Sequence, residues 1–312
     1  MTTGFIKRMF LNVYNRLYKH KNYARKLMSV LMEEKLNLFL LQEKLWLITN
    51  PVYKSNYDFE FERFFNCEHK WQLPPVLHAI VRVGARNNYK TFYESLRQDG
   101  IHLIHSPEQH ALASELPNWY PLISDLTPRS LWFSQMPTLE HIQENFIFPI
   151  FVKGARQTSK HQKSLSIIEN AQDFNNLTEK YKEDSILHWQ DIVCREYVEL
   201  RSIKGDADEG IPPSYEFRTF WYKGHFVGAG RYWFEMPKYN WTAQEKSDAI
   251  KIASEVASRI DVPFLVIDVA QRIDGQWIVI ECNDGQESGY ADVSPISLWK
   301  NILSIETGLS SS

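Results

Sequence analysis

The sequence predicts an α/β (α+β) fold with its chemistry on a carboxy-terminal hairpin, and three stretches carry that prediction. Phe264 to Ala270 and Trp277 to Cys282 are apolar runs separated by Asp274-Gly275, a strong short-range hairpin signal. Tyr215 to Tyr222 alternates Glu216, Arg218 and Phe220 against Phe217, Thr219 and Trp221. It turns at Lys223-Gly224 and returns as His225 to Phe234, a second hairpin. Val76 to Val83, Asn88 to Gln98 and Ile101 to Ile104 read as strand, helix and strand, with Gly100 closing the helix, the pattern of a small parallel sheet.

The other elements follow in order. Residues 1 to about 48 lack Gly and Pro after Gly4 and show helical spacing at Leu11, Tyr14, Leu17 and Tyr18 and again at Leu27, Leu31 and Lys35. One or two helices are expected there, as a docking element, an oligomerisation surface or, the favoured reading, a cover for the next domain. Residues 50 to 75 are aromatic and irregular, and Pro74-Pro75 marks a boundary. Leu116 to Thr138 reads as a Pro-containing connection. Phe148 to Lys153 reads as a strand ending in a lysine, and Gly154 to Ser164 as a polar, basic, mobile loop. Glu169 to Tyr181 reads as a helix, Ile192 to Val198 as a strand and Lys204 to Pro213 as a loop. Thr242 and Glu245 form a capping box ahead of a helix whose buried stripe is Ala249, Ile250, Ala253, Val256, Ala257 and Ile260.

With 312 residues the chain is long enough for two or three lobes. A net charge of −3 and the lack of a broad basic stripe argue against a non-specific nucleic-acid binder. Cys67, Cys194 and Cys282 are far apart and form no C-x-x-C, which fits unpaired buried thiols in a reducing compartment. The most apolar early run, Leu36 to Leu41, is far short of the ~20 residues that span a bilayer. A cytoplasmic protein without membrane or nucleic-acid partners is expected.

Register places the chemistry. If Asp274 and Gly275 form a two-residue loop, Asp268 falls opposite Glu281 and Val266 opposite Asn283. Glu281 and Asn283 then share a face, and Cys282 points to the other. Directly opposed carboxylates repel, so they call for a cation, and an all-oxygen donor set suits Mg²⁺ or Mn²⁺. Acids on a wet strand face, or a register slipped by one, are the alternatives. By the same repulsion, Asp268→Asn and Glu281→Gln are expected to fold at least as well as the parent without metal. On the second hairpin a two-residue Lys223-Gly224 loop would set Arg218 opposite Ala229 and Glu216 opposite Arg231. Both arginines would share one face, where they could cradle a phosphate or acyl phosphate.

The segment LVIDVAQRIDGQWIVIECNDG resembles the metal-binding hairpin of the ATP-grasp superfamily, and PIFVKG followed by a basic loop resembles that family's amino-lobe lysine strand. The resemblance covers roughly residues 125 to 305 and implies an ATP-grasp fold of two lobes gripping ATP. The implied amino lobe is 129–192 and the carboxy lobe 193–305. They follow a pre-ATP-grasp-like unit over 76–128 and a helical or irregular segment over 1–75. It implies Mg²⁺ (or Mn²⁺) on Asp268, Glu281 and Asn283 and phosphate contacts from Lys153, with Arg156, Lys160 and His161 as loop candidates. Cys194 to Glu199 resembles the interlobe hinge. There Glu196, Tyr197 and the Val198 backbone would meet adenine and Glu199 the ribose. The family commonly has a further upstream basic contact, for which Arg129 is the nearest candidate. The implied function is an ATP-dependent carboxylate–amine ligase acting through an acyl phosphate and releasing ADP, on small-molecule or peptide acid and amine substrates. A phosphotransferase, or a non-catalytic ATP-binding sensor that docks through residues 1–48, is the alternative. K-x-D-G, the mark of covalent-lysine nucleic-acid ligases, does not occur.

Overall fold

The computed structural model describes residues 37–40, 46–48, 76–159, 162–204 and 210–308, the first two segments as backbone strands. The expectations for residues 1–36 and 50–75, and those for Lys160 and His161, lie outside them. The chain divides into two compact units, one of residues 1–106, 286–288 and 303–312, the other of 107–285 and 289–302.

In the first unit β1 (Asn37–Leu40), β2 (Trp46–Ile48), β3 (Leu77–Arg82) and β4 (Ile101–Leu103) form a sheet in the order β2-β1-β3-β4. The strand–helix–strand reading holds. β3 and β4 are parallel, with Leu77 opposite Ile101, and α1 (Tyr89–Gln98) between them buries Tyr89, Phe92 and Leu96. The expected helix up to residue 48 is overturned at two places. β1 pairs Leu38 with Val81 and Phe39 with Ile80, and β2 pairs with β1. Ladder bonds to β3 outweigh the small helical propensity of this short apolar run.

The second unit opens with α2 (Pro107–Ser114) and α3 (Leu116–Ile123), where a connection was expected from residue 116 on. Pro117 stands in the first turn of α3, where a missing N–H costs nothing, so the proline starts the helix and does not exclude it. Next come β5 (Ser130–Phe133), α4 (Leu139–Asn145), β6 (Ile150–Gly154), α5 (Lys163–Ser166), β7 (Ile167–Ile168), α6 (Ala171–Glu183) and β8 (Ile192–Glu196). Their antiparallel sheet runs β5-β8-β6-β7. Val152 and Cys194 of this sheet pack with Leu177 of α6.

β9 (Glu216–Tyr222), β10 (His225–Arg231), α7 (Ala243–Arg259), β11 (Phe264–Gln271), β12 (Trp277–Asp284) and α8 (Pro295–Thr307) follow. The two expected hairpins exist, and they are one sheet in the order β10-β9-β11-β12, because β9 pairs directly with β11. One face of it carries Phe217, Leu265, Ile267, Val269 and Cys282 and buries them against Ala249, Ala253 and Val256 of α7. Ile250 and Ala257 of the expected stripe are partly buried at the edge of this core.

Both hairpin registers depart from simple counting. In β11–β12 the loop has three residues, Ile273-Asp274-Gly275. Arg272 N–H donates to the Gln276 carbonyl at 2.8 Å, and Gly275 takes a φ of +88°. A bulge then falls between Asp268 and Val269 on the pairing with β12, so that Val269 meets Val279 and Asp268 meets Glu281. The extra loop residue and the extra strand residue offset each other, and the expected pairs Asp268–Glu281 and Val266–Asn283 are both found. In β9–β10 the turn has two residues as expected, but a bulge between Phe226 and Gly228 moves Arg218 opposite Gly230 and Arg231 opposite Phe217. Arg231 therefore falls on the strand face of Phe217, not that of Arg218, and the expected shared face is not formed.

The α7 start is a capping box. The Thr242 hydroxyl accepts from Glu245 N–H at 3.2 Å and the Glu245 carboxylate accepts from Thr242 N–H at 2.6 Å. That backbone bond, ahead of contributions from Arg201 and Tyr215, holds the Glu245 carboxyl down at about 2, although burial opposes it. A depressed carboxyl contributes stability that is complete above its unfolded value near 4.5 and disappears as pH falls toward 2. Thr242→Ala should cost about 1 kcal/mol. The melting-temperature deficit of Glu245→Gln should be constant from pH 7 to 5 and shrink on acidification. A deficit unchanged down to pH 3 would sink this assignment. No described helix is long and apolar enough to cross a membrane.

Candidate active site

The charged side chains sit on the sheet face opposite α7. Arg218 of β9, Asp268 of β11 and Glu281 of β12 are directly opposed across three neighbouring strands. Asp268 is fully buried. Its carboxylate accepts two bonds from Arg218, from Nε at 2.9 Å and Nη2 at 2.8 Å, the bidentate geometry in which guanidinium and carboxylate match best. Burial pulls the Arg218 guanidinium down, and Asp268, with Glu281 and Glu216 behind it, pushes it above its ordinary value. Arg218 also donates to the Gly289 carbonyl at 2.9 Å and lies over the Tyr232 ring.

Glu281 has its own cation. Lys153, at the end of β6 and only 3% exposed, donates to the Glu281 carboxylate. The strand-end lysine and the hairpin acid thus meet across 128 residues of sequence, as the expected shared site requires. The two opposed carboxylates do not face each other bare. Each is neutralised by a basic side chain, which removes the repulsion on which the expected stability of Asp268→Asn and Glu281→Gln rested.

Asn283 is half-buried, and its side chain makes no hydrogen bond among the described residues. Asp268, Glu281 and Asn283 supply oxygen alone, from adjacent strands and one face, a donor set that fits Mg²⁺ or Mn²⁺. Among the described residues no group of three or more His, Cys, Asp or Glu side chains is gathered as a metal site. The triad here has two acids, and its third member is an amide.

Arg195 is a site residue that the sequence reading passed over. It sits in the middle of the apolar strand β8, 4% exposed, and donates to the Ile280 carbonyl at 2.8 Å, to Ser130 Oγ at 3.0 Å and to Thr127 Oγ1 at 3.3 Å. Ile280 is the residue that the β12 bulge leaves unpaired, so Arg195 secures the backbone immediately before Glu281. Burial pulls its guanidinium down to about 10, with Glu281 opposing. The signal was present: a charge inside the run IVCREYV is the same anomaly that marks Asp268 in its strand.

Beyond β8 the chain leaves the sheet. Glu196, Tyr197 and Val198 line a cavity of about 170 Å³ together with Lys153, Arg195 and Glu281. The backbone of Tyr197 and Val198 makes no hydrogen bond among the described residues, so peptide edges are open beside this cavity. Glu199 does not line it. Glu199 is exposed, and its carbonyl accepts from Ile273 N–H at 3.2 Å. Glu216 does line it, buried and bonded to Ser214 Oγ at 3.2 Å and Trp233 Nε1 at 3.1 Å.

Three further expected residues are engaged elsewhere. Arg129 is exposed, bonded to Asn145 and stacked on Phe146. Arg231 pairs with Asp292 at 2.7 Å. Gly230 lets that segment approach, since a Cβ there would lie 2.4 Å from the Asp292 backbone. Arg156 is buried and bonds His110 at 3.0 Å. The start of the loop expected to be mobile is anchored: Arg156 N–H and Gln157 N–H both donate to Gln190 Oε1 at 2.8 Å, and Ala155 N–H donates to the Asp191 carbonyl. Cys194 and Cys282 lie in the apolar cores, where burial pushes the Cys194 thiol up to about 12 and Cys282 well above its ordinary value.

Solved structures share this arrangement of elements. The VanG D-Ala:D-Ser ligase of Enterococcus faecalis matches with a TM-score of 0.50 at 15% identity, over 70% of this chain and 68% of that one. The D-alanyl-alanine synthetase A of Vibrio cholerae matches at 0.49 and 16% identity, over 72% and 74%. A RimK domain ATP-grasp protein of Sphaerobacter thermophilus matches at 0.47 and 11% identity, over 73% and 77%. No curated protein matches the chain significantly. A family model described as an ATP-grasp domain, family 3 of its clade, matches residues 109–302, well over half of the chain, and this protein belongs to that ATP-grasp family.

Proposed function

We propose that this protein is an ATP-dependent carboxylate–amine ligase that forms an acyl phosphate and releases ADP and phosphate. The observation that carries the proposal is the meeting of Lys153 with Glu281, one row from the Arg218–Asp268 pair and beside the cavity lined by Tyr197 and Val198. A polyphosphate is a ligand that needs both buried cations and can release them from their carboxylates. The open peptide edges of Tyr197 and Val198 suit the hydrogen-bonding edge of adenine, with Glu196 beside them.

A divalent ion would be held by Asp268, Glu281 and Asn283, and it would offset phosphate charge. Lys153 would then leave Glu281 for phosphate oxygens, and Arg218 would orient Asp268 while its remaining edge faces the transferred group. Arg231, on the other strand face and paired with Asp292, is left out of the phosphoryl site, and Arg156 is too deeply engaged to be a free clamp. A substrate carboxylate oxygen attacks the γ-phosphorus, its new O–P bond forms as the β,γ-bridging bond breaks, and ADP departs. An amine then attacks the acyl carbon, phosphate leaves, and the amine proton passes to phosphate or water. The solved structure named as a D-Ala:D-Ser ligase motivates small amino-acid or peptide substrates.

The test is product analysis after incubation with ATP, Mg²⁺ and a pool of amino acids and peptides. ADP and phosphate with a new amide are expected. Stoichiometric AMP and pyrophosphate would overturn the acyl-phosphate route, and ADP with a stable phosphorylated product would make the protein a phosphotransferase.

A further inference from the structure

A buried chain of three polar side chains lies apart from the row described above. Asp284 ends β12, one residue beyond Asn283, and is fully buried. Its Oδ2 lies 2.9 Å from His110 Nδ1, on α2. His110, 3% exposed, has its Nε2 3.0 Å from Arg156 Nη2, three residues beyond Lys153. Arg156 lies over the Trp189 ring, and Asp284 N–H donates to Ser114 Oγ on the same α2.

The partners fix the tautomer. A guanidinium can only donate, so His110 Nε2 accepts. The ring proton then stands on Nδ1 and is donated to Asp284. The imidazole is neutral, and the carboxylate and guanidinium balance each other through it, which is what burial of all three requires. In sequence the chain joins the hairpin that carries Glu281 and Asn283 to the loop that follows Lys153.

We propose that Asp284, His110 and Arg156 are a positioning relay: His110 holds the end of β12 through one ring nitrogen and the loop after Lys153 through the other, without touching nucleotide itself. The proposal rests on reading the neighbouring row as the site for nucleotide and metal. It assigns the two nitrogens different tasks. The Nδ1 arm orders Asn283 and Glu281, and so bears on the divalent ion. The Nε2 arm orders the loop, and so bears on the nucleotide.

Two amide substitutions separate the arms. In His110→Asn the side-chain amide N–H can replace the Nδ1 donor to Asp284, and the acceptor for Arg156 is lost. In His110→Gln the amide oxygen reaches the Nε2 position and accepts from Arg156, and the donor to Asp284 is lost. The measurement is calorimetric binding of Mg-ATP to the full chain, titrated in ATP at saturating Mg²⁺ and in Mg²⁺ at saturating ATP. His110→Asn should weaken ATP about tenfold and leave the Mg²⁺ midpoint near the parent's. His110→Gln should raise the Mg²⁺ midpoint several-fold with a smaller effect on ATP. Equal losses in both titrations for both variants would make His110 only a structural side chain and overturn the relay, and so would parental binding by both. If the histidine variants do not fold, Arg156→Lys carries the test, with a defect expected in the ATP titration alone. A parent protein that binds no Mg-ATP would overturn the nucleotide reading and the relay with it, whereas parental binding without the crossed pattern removes only the relay.

Discussion

Asp268→Asn should melt well below the parent in the absence of metal and nucleotide. Asp268 is fully buried and takes both of its bonds from Arg218, whose side chain is 11% exposed. Removing the charge leaves a guanidinium desolvated without its counter-ion, and breaking such a pair costs about 3 kcal/mol or more. For a chain of this size that is a fall of roughly 5–10 °C in melting temperature. Two effects oppose the loss. Asparagine still accepts one hydrogen bond, and the opposed Glu281 no longer faces a like charge. Lys153 already neutralises Glu281, so relief of repulsion is the smaller term. The variant should also lose most of the further stabilisation that Mg-ATP gives by binding only the native state. The measurement is a set of melting curves for Asp268→Asn, Arg218→Gln and the double variant, each with EDTA and with Mg-ATP. The double variant should be less destabilised than the sum of the singles, because the second change removes the orphaned partner of the first. An Asp268→Asn protein that melts at or above the parent in EDTA would show that carboxylate repulsion dominates after all.

The direction of that prediction reverses what the sequence alone suggests, and the reason is topological. Asp268 opposite Glu281 was legible, because both acids interrupt apolar runs flanking an Asp-Gly turn. The pair is found although the loop is one residue longer than assumed, since the β12 bulge takes up the difference. No local pattern disclosed that β9 would pair with β11 and set Arg218 against Asp268. Strand pairing between hairpins is decided by the packing of both faces, which a period-two pattern does not encode. The same kind of bulge, at Phe226 to Gly228, displaced Arg231 from the expected face, where glycines make room for the Asp292 backbone. His110 carried no signal: it is one histidine on a short helix, and its partner Asp284 lies 174 residues away. The hinge was legible as Glu196 to Val198 and ran one residue too far at Glu199, because only the cavity shows where the chain turns outward. The strand–helix–strand unit of the first sheet was legible because its three elements are consecutive and each is long enough to show its own period.

Lys153→Met should separate the two tasks of the Lys153–Glu281 contact. Methionine keeps most of the lysine stem's volume, so the packing change at this 3% exposed position is small. What is lost is one buried charge with two successive partners, Glu281 in the free protein and phosphate oxygens in the complex proposed above. Loss of a charge-assisted bond of roughly 2–3 kcal/mol should weaken ATP by about 30- to 100-fold. The effect of Mg²⁺ alone should move the other way. In the parent, an ion must displace Lys153 to reach Glu281, so metal without nucleotide should raise the melting temperature little. In Lys153→Met the Glu281 carboxylate, 13% exposed, has lost that cation and keeps the opposed Asp268 across the strand pair. A divalent ion then relieves an unbalanced charge and competes with no lysine. The variant should therefore melt below the parent in EDTA and recover more of its stability on addition of Mg²⁺ alone than the parent gains. The measurement is the melting temperature of both proteins across a Mg²⁺ titration, with Ca²⁺ as a size control and ATP added in a second series. A variant with the ATP defect and no enhanced Mg²⁺ response would place the ion away from Glu281. One with parental ATP binding would remove Lys153 from the phosphate site.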